Sequence, residues 1–228
     1  MTLLLFDIDG TLVHVNGAGR SALTRALSTL LGSPISTDGI SFSGRTDPDI
    51  LRAVLAHNGH EPSEATLQAA LDAYEAAARK AIQPRHVRPL PGTRSLLSAL
   101  SDRSDVHLGL VTGNVEPIAY HKLNAVGLDA YFSVGAFGSD HAERASLPPL
   151  ALRRARQATG HAFSPEQTIV IGDTPRDVQC AQAAGVRSVA VCTGGADREA
   201  LSSSAPDVLL TDLTDPAQFY DRVLNTSR

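Results

Sequence analysis

Short apolar runs that end in polar or glycine residues recur along the chain, and they predict the buried strands of a parallel sheet. The first run, Leu3–Phe6, is too short for a helix and leads directly into acidic residues. From about residue 93 onward, similar runs alternate with segments of helical periodicity, as in βαβ units. The further strands are predicted at residues 106–111, 131–134, 168–171, 188–191 and 207–210. This pattern predicts an α/β fold with a Rossmann-like three-layer core.

The stretch from residue 14 to residue 89 has a different pattern. Apolar and alanine residues recur there at helical spacing, and Pro48 stands in the first turn of a predicted helix. No strand-like run is seen within the stretch. Its helices are predicted at about residues 17–32, 46–57 and 63–82. We therefore predict an all-helical cap, residues 14–89, inserted into a core formed by residues 1–13 and 90–228.

Composition and charge exclude several classes of partner. The chain has 228 residues, a formal charge of −4 and a pI near 6.0, so no basic surface for nucleic acid or an anionic membrane is predicted. No apolar run approaches the ~20 residues of a membrane span. No charged leader precedes Leu3, so we expect a cytoplasmic protein. Cys180 and Cys192 lack metal-site spacing and are expected to be reduced. A monomer and a homodimer are both open.

Two acids directly follow the first predicted strand. Asp7 and Asp9 are two residues apart, so a regular strand would place both on one face, and Gly10 allows the chain to bend there. Carboxylates held so close repel unless a cation or a shared proton relieves them, which favours metal binding and acid–base or nucleophilic chemistry. A solvated acidic turn is the alternative for Asp-x-Asp alone. The apolar run before it and Thr11 after it make the motif more specific.

A hydroxyl, a flexible backbone and a capping side chain follow the strand predicted at residues 106–111. They are Thr112, Gly113 and Asn114, and this combination suits the binding of an oxyanion. Asn114 in isolation would be interpreted simply as a helix cap. Because the carboxyl ends of parallel strands lie at one edge of a sheet, we expect these residues near Asp7.

The strand predicted at residues 168–171 also ends in acids. Asp173 lies at the strand tip, and Asp177 falls in the first turn of a helix that Thr174 is predicted to cap. Asp177 has a competing interpretation as a favourable first-turn acid, since carboxylates stabilise helix N-termini. Asp173 is the clearer candidate for a metal ligand, because Mg²⁺ prefers a few carboxylates together with water.

These motifs and the place of the inserted helices resemble the haloacid dehalogenase-like hydrolase superfamily, in particular its phosphoglycolate phosphatase-like group. The resemblance implies a phosphatase with Asp7 as nucleophile and Asp9 as general acid and base. It implies Mg²⁺ on Asp7, on the backbone carbonyl of Asp9 and on Asp173, with Thr174 and Asp177 supporting these ligands. The residues it implies for binding the phosphoryl group are Gly10, Thr11, Thr112, Gly113 and Asn114.

The chain departs from the superfamily pattern at the lysine expected before a proline-containing helix start. Its two lysines are Lys80, in the predicted cap, and Lys122, which a rise of about 1.5 Å per residue puts well along the helix that follows Asn114. We expect neither lysine to be well placed. Arg144 precedes a Leu-Pro-Pro helix start at about the correct point, so we assign it this role. A solvated loop arginine is the alternative, and Arg153 and Arg154 lie further along the helix.

The combined features predict a Mg²⁺-dependent phosphatase that acts on small phosphorylated metabolites through an aspartyl-phosphate. The alternatives are a β-phosphoglucomutase-like phosphomutase, a phosphonate hydrolase and an inactive metal-binding scaffold. The mutases carry a cap histidine near Gly19 and Arg20, where this chain has none, and Lys80 is the only candidate for a phosphonatase lysine. Asp9 argues against a dehalogenase, because those members of the superfamily lack the second acid.

Arg45 is the candidate for binding the part of the substrate beyond the phosphoryl group. It lies in a loop directly before a predicted helix of the cap, a position that can face the core. An ion pair with Asp47 or Asp49 on the surface is the alternative, since exposed pairs are common and weak. The sequence does not name the physiological substrate.

Overall fold

The computed structural model describes residues 1–225. Over this part of the chain the strands are β1 (Thr2–Phe6), β2 (Val13–Val15), β3 (Val87–Pro89), β4 (Val106–Thr112), β5 (Gly135–Phe137), β6 (Thr168–Gly172), β7 (Arg187–Val191) and β8 (Val208–Leu210). Six of them form one sheet in the order β5-β4-β1-β6-β7-β8, and all neighbours are parallel. The strands β1, β4 and β6 therefore lie side by side in the middle of the sheet.

The α-helices of the described residues connect these strands and form the inserted segment. They are α1 (Ala18–Leu31), α2 (Asp47–His57), α3 (Glu64–Ala81), α4 (Thr93–Ser101), α5 (Glu116–Asn124), α6 (Leu147–Thr159), α7 (Pro175–Ala183), α8 (Arg198–Ser203) and α9 (Pro216–Phe219).

The central strand β1 shows how the core is divided into layers. Successive side chains of a strand point to opposite faces of a sheet. Leu4 and Phe6 pack in a cluster with residues of α4 and α5, whereas Leu3 and Leu5 pack with residues of α6 and α7. All four side chains are fully buried. Helices thus cover both faces of a parallel sheet, which confirms the predicted three-layer α/β class.

The helical lobe, defined here as residues 16–86, contains α1, α2 and α3, and both α1 and α2 pack against α3. Leu23 and Leu27 of α1 and Tyr74 and Ala78 of α3 are buried in it, as the helical spacing of these residues requires. Thr46 caps α2 by accepting a hydrogen bond from the backbone N–H of Asp49.

An antiparallel ribbon joins the helical lobe to the core. Val13 of β2 lies opposite Pro89 of β3, and Val15 lies opposite Val87. The expectation of no strand in this part of the chain is therefore wrong. Each strand has only three residues and carries an exposed side chain at its centre, so neither gives a recognisable apolar run. The bounds 14–89 fall at this ribbon, and they stay a prediction as the limits of a separate domain.

The strand predicted at residues 131–134 is displaced along the chain. The structure places β5 at Gly135–Phe137 instead, paired with β4 through Gly135 and Leu110. Glycine normally weakens a strand, and so Gly135 is not an expected strand residue. Here its lack of a side chain is needed, because a Cβ at Gly135 would lie 2.7 Å from the Phe137 ring.

Candidate active site

The register of the central strands brings the predicted acids to one edge of the sheet. Phe6 lies opposite both Leu110 of β4 and Ile171 of β6. The next residue, Asp7, donates its backbone N–H to the carbonyl of Ile171 at 2.9 Å. The residues after β1, β4 and β6 consequently converge at the carboxyl edge, as parallel strands in an open α/β sheet allow.

Asp7, Asp173 and Asp177 form a buried carboxylate cluster, and one oxygen from each lies within 4.8 Å of the others. Two glycines make room for it. A Cβ at Gly10 would lie 2.4 Å from Asp173 Oδ2, and a Cβ at Gly194 would lie 1.6 Å from the same atom. A cluster of oxygen donors alone suits a hard dication such as Mg²⁺. The residues present therefore fit the predicted metal.

Arg144 lies between two members of this cluster. Its Nη2 atom is 3.2 Å from Asp7 Oδ1 and 2.5 Å from Asp177 Oδ1, and the side chain is buried. The residue occupies the short turn that precedes α6. Its Nε atom is buried without a hydrogen-bond partner among the described residues. The alternative of a solvated loop arginine is thus wrong, because this guanidinium faces the acids at the strand ends.

Burial and mutual repulsion change the pKa values of this cluster. Burial raises the pKa of Asp7 to about 6, Arg144 acts in the opposite direction, and Asp177 and Asp9 add to the increase. Burial, followed by the charges of Asp177 and Asp7, also raises the pKa of Asp173 well above its ordinary value. Burial alone would lower the pKa of Arg144, but the same carboxylates raise it. A further cation would relieve this repulsion.

The carboxylate of Asp177 contacts both the cap of its own helix and Arg144. Its Oδ2 atom accepts hydrogen bonds from the backbone N–H of Thr174 at 3.0 Å and from the Thr174 hydroxyl at 2.7 Å, while Oδ1 faces Arg144. Both interpretations of Asp177 thus describe the same side chain. It is a first-turn acid of α7, and it is part of the acidic cluster.

The carboxylate of Asp9 points away from the cluster. Its Oδ2 atom accepts a hydrogen bond from Asn114 Nδ2 at 2.7 Å, and it lies 2.6 Å from Lys122 Nζ. The Asp9 side chain is 41% exposed, in contrast to the buried carboxylate of Asp7. Its carboxylate is therefore available for proton transfer and is separate from the clustered acids. A metal contact through the Asp9 carbonyl stays a prediction.

Lys122 is the site residue that the sequence interpretation missed. The sequence predicts a lysine too far along α5 to reach the site, but its Nζ atom lies 2.6 Å from both Asp9 Oδ2 and Asn114 Oδ1, and its side chain is only 6% exposed. Side chains on a helix lean toward its N-terminus, so a long lysine reaches back over two turns. The spacing of eight residues from Asn114, close to two helical turns, was the available signal.

The segment Gly44–Asp47 of the helical lobe is wedged against the strand ends. The backbone N–H of Asp47 donates to the carbonyl of Gly113 at 2.8 Å, and Asp47 Oδ2 accepts from the backbone N–H of Val115 at 2.8 Å. A Cβ at Gly113 would lie 2.1 Å from the carbonyl oxygen of Arg45. Gly113 is thus needed for close backbone approach, which is a different role from the predicted flexibility.

Arg45 lines the cavity and is also paired within the lobe. Its Nε atom lies 2.6 Å from Asp49 Oδ2, and its Nη2 atom donates to the Asp49 carbonyl at 3.0 Å. The predicted alternative, an ion pair with Asp49, is therefore present. The side chain keeps 17% exposure and lies on the cavity wall, so the pairing fixes its position without removing it from the cavity.

A cavity of about 480 Å³ lies between the sheet edge and the helical lobe. Volumes of this size are typical of small-molecule sites. The cavity wall combines the acids, the predicted phosphoryl-binding residues and charged side chains of the lobe, including Asp7, Asp9, Gly10, Arg20, Arg45, Tyr74, Thr112, Gly113, Asn114, Lys122, Arg144, Asp173 and Thr174. The structure thus brings most of the predicted residues to one cavity. Thr11 lies just behind it and donates its hydroxyl to Asp173 Oδ1 at 3.1 Å.

Comparison with known proteins agrees with this geometry. Residues 4–191 match the family model for haloacid dehalogenase-like hydrolases. The chain belongs to this family. A phosphoglycolate phosphatase of Pectobacterium atrosepticum is 27% identical over 214 residues, which cover 93% of this chain and 89% of that protein. Phosphoglycolate phosphatase 1 of Pseudomonas aeruginosa is 29% identical over 224 residues, covering 93% of this chain and 77% of its own length.

A solved structure of a hydrolase from Pseudomonas syringae has the same fold, with a TM-score of 0.75, 21% identity and coverage of 98% of this chain and 99% of that one. The haloacid dehalogenase-like resemblance and the phosphoric monoester hydrolase class are thereby confirmed. Over residues 1–225, no helix has the length and apolar character needed to cross a membrane. The roles of the individual site residues stay predictions.

Proposed function

We propose that this haloacid dehalogenase-like phosphatase hydrolyses small phosphomonoesters through an aspartyl-phosphate on Asp7, with Mg²⁺ as its cofactor. The observation that supports this most is the separation of the carboxylates of Asp7 and Asp9. Asp7 lies in the buried cluster beside Arg144, whereas Asp9 lies apart from it on the cavity wall. One carboxylate is thus placed to form a covalent bond and the other to transfer a proton.

In the first step an oxygen of Asp7 bonds to phosphorus while the bond from phosphorus to the leaving oxygen breaks. Asp9 gives its proton to that oxygen. In the second step Asp9 takes a proton from water, the water oxygen bonds to phosphorus, and the bond to Asp7 breaks to release phosphate. Arg144 and the Thr112 hydroxyl are placed to stabilise the negative charge of the transferred group.

The metal would be held by Asp7 and Asp173, with the carbonyl of Asp9 as a further predicted ligand. Asp177 belongs to the same carboxylate cluster and is positioned by Thr174. When bound, Mg²⁺ neutralises clustered carboxylates and polarises a phosphoryl oxygen. The raised pKa of Asp7 and Asp173 supports the need for a cation here.

The leaving group is proposed to be small and acidic, as in phosphoglycolate. Two relatives carry the name phosphoglycolate phosphatase, and the cavity of about 480 Å³ suits a small metabolite. The lobe contributes Arg45 and Arg20 to its wall, and Arg20 is held over the Phe42 ring at 3.8 Å. In this proposal the helical lobe acts as the cap of the site. A cytoplasmic location and a monomer or homodimer stay predictions.

The test is to measure kcat/KM with Mg²⁺ on phosphoglycolate, hexose phosphates, nucleoside monophosphates, pyrophosphate and p-nitrophenyl phosphate. We expect phosphate release from all active substrates, the highest kcat/KM on a small acidic phosphomonoester, and loss of activity after EDTA that returns with Mg²⁺. Full activity after exhaustive chelation would contradict the proposal that Mg²⁺ is required. Conversion of a hexose 1-phosphate to its 6-phosphate without phosphate release would show a mutase instead.

A further inference from the structure

One buried ionisable residue of the cavity has no role in the proposed chemistry. Lys122 reaches the site from the second half of α5 with a side chain that is only 6% exposed. A buried ammonium group is unfavourable unless it is paired and hydrogen-bonded. Lys122 meets this need within the site, because both of its hydrogen-bond acceptors are side chains of the proposed catalytic region.

Lys122, Asn114 and Asp9 form a closed ring of hydrogen bonds. Lys122 donates to Asp9 Oδ2 and to Asn114 Oδ1, both at 2.6 Å, and Asn114 Nδ2 donates to Asp9 Oδ2 at 2.7 Å. An ammonium group can only donate, so it fixes which end of the Asn114 amide faces Asp9. Asn114 Nδ2 also contacts the Thr112 hydroxyl at 2.9 Å, which ties the ring to the end of β4.

The ring engages a single oxygen of the Asp9 carboxylate. Both donors contact Oδ2, and the 41% exposed side chain lies on the cavity wall. Rotation of the carboxylate about its own axis would break two hydrogen bonds, one of them charge-assisted. The oxygen that remains, Oδ1, is thereby presented to the cavity in one orientation. General acid–base catalysis requires such fixed placement within hydrogen-bond reach of the reacting oxygen.

We propose that Lys122 is a positioning residue for Asp9, holding Oδ2 so that Oδ1 carries the proton to and from the reacting oxygen. This inference rests on the proposed function. In the first step the proton leaves Asp9 Oδ1 for the leaving oxygen, and the ammonium of Lys122 stabilises the carboxylate that remains. In the second step Oδ1 receives a proton from the attacking water. Lys122 itself transfers no proton.

A residue that acts only through Asp9 has a specific kinetic signature. An alkoxide leaves poorly without protonation, whereas p-nitrophenolate is a good leaving group that needs none. Loss of the general acid should therefore reduce kcat/KM on an alkyl phosphate far more than on p-nitrophenyl phosphate. Because Asp9 also activates water, the second step should slow on both substrates, so that the aspartyl-phosphate accumulates.

The experiment compares Lys122→Met with the wild type on phosphoglycolate, or the best alkyl phosphate found, and on p-nitrophenyl phosphate. We expect a loss on the order of 10²-fold in kcat/KM on the alkyl phosphate and less than about fivefold on the aryl phosphate, since general acid catalysis acts only on the former. A burst of p-nitrophenolate should precede a slower steady state. Lys80→Met is the matched control, because Lys80 is the other lysine of the chain and is exposed. It should behave as the wild type.

Equal losses on both substrates, or no loss on the alkyl phosphate, would overturn the proposal. If Lys122→Met does not fold by circular dichroism, Lys122→Gln is measured instead; its side chain is polar but one bond shorter and uncharged, so it should show the same difference between substrates. Asp9→Asn is measured in parallel. If Asp9→Asn lacks the signature, the proposed function itself fails, whereas its presence in Asp9→Asn and absence in the Lys122 variants refutes only the role of Lys122.

Discussion

The two sides of the cavity are built in different ways. On the acidic side, Asp7, Asp173 and Asp177 follow two adjacent strands, and their positions are set by the pairing of β1 with β6. On the lobe-facing side, Asp9 is held by Lys122 from a helix, and Asp47 of the helical lobe lies against the same strand ends. The first arrangement depends on backbone register and the second on long side chains and packing between distant segments.

In the proposed reaction, the acidic side carries the groups that form the covalent intermediate. The lobe-facing side carries groups that orient a catalytic residue or bind the substrate. The acidic side is buried and densely charged, so a change there removes a group that the reaction requires or leaves a charge unpaired. On the lobe-facing side Lys122 and Asp47 are buried, but Asp9 and Arg45 keep partial exposure, and Arg45 is paired with Asp49. We therefore expect the effects of substitutions to decrease from the sheet edge toward the lobe.

The largest effect is expected at Asp7. Asp7→Asn removes the proposed nucleophile but preserves the volume of the side chain, so turnover should be abolished, by ~10⁴-fold or more, while the fold is retained. Phosphate release and circular dichroism measure the two outcomes. Residual turnover above the level that deamidation could restore would contradict covalent catalysis and remove the distinction between the two sides.

Asp173 tests the metal on the same side. Asp173→Ala removes a carboxylate of the buried cluster, so the apparent affinity for Mg²⁺ should fall and activity should decrease on the order of 10³-fold, since a bound metal supplies several kcal/mol of charge stabilisation. Activity titrated against Mg²⁺ concentration measures both. Unchanged Mg²⁺ dependence in this variant would place the metal elsewhere.

A substitution at Arg144 tests whether its guanidinium contributes to catalysis in addition to neutralising the buried carboxylates. Arg144→Ala should reduce kcat by ~10²-fold, as removal of one preorganised donor does. It should also lower the free energy of unfolding, because Asp7 and Asp177 lose their buried counter-charge. Arg153→Ala, at an exposed position on α6, is the control. A loss of less than a few-fold in Arg144→Ala would exclude the assigned role.

Arg45 tests the lobe-facing side, where the effect should depend on the substrate. Arg45→Ala should lower kcat/KM on the best acidic phosphometabolite by about tenfold, the scale of one partly exposed charge-assisted contact, and should spare p-nitrophenyl phosphate. The exposed Arg52→Ala on α2 is the control. Equal losses on both substrates, or none, would remove Arg45 from the specificity site.

The last prediction concerns the stability of the fold and not the activity, and it is made at Asp47. Burial raises the pKa of this carboxyl to about 6, although Lys122 and the Val115 N–H act in the opposite direction. The folded chain therefore binds this proton more tightly than the unfolded chain, and stability falls as pH rises from about 4 to 6. Asp47→Asn keeps an acceptor for Val115 but no charge. It should be more stable than the wild type at pH 8 by up to about 3 kcal/mol.

Urea unfolding at pH 8 and pH 4 measures the difference in the free energy of unfolding between Asp47→Asn and the wild type. This difference should disappear at the lower pH. Asp38→Asn, at an exposed position of the lobe, is the control. A gap of the same size at both pH values would show that the charge of Asp47 is not the cause.

Asp7 and Asp173 of the acidic side could be predicted from the sequence because each lies at the end of an apolar run, whereas Asp177 lies in the first turn of α7. Once β1 and β6 are recognised, Asp7 and Asp173 must lie at the same edge of the sheet. The position of Arg144 near the acids could be predicted from its place directly before a helix start, which is again a local signal. Local patterns are sufficient where the backbone itself carries the functional group to the site.

Lys122 and the ribbon could not be predicted in this way. The distance of Lys122 along the helix axis predicts a position outside the site, whereas the length and direction of its side chain decide where the ammonium lies. Val13–Val15 and Val87–Pro89 have no apolar run and become strands only because they pair with each other across the lobe. Tertiary pairing and side-chain reach depend on partners that are distant in sequence.

The pairing of β2 with β3 also affects how the chain can diverge. Val13 and Pro89, just outside the two ends of the helical lobe, are paired in register, so the lobe is anchored at two neighbouring points. The free energy of closing a loop increases by only ~0.6 kcal/mol when the loop doubles in length. Insertions and deletions between the lobe helices should therefore leave the pairing of the sheet intact. In the proposed function the lobe faces the leaving group, so this part of the protein is free to change in size while the edge that carries the acids keeps its geometry.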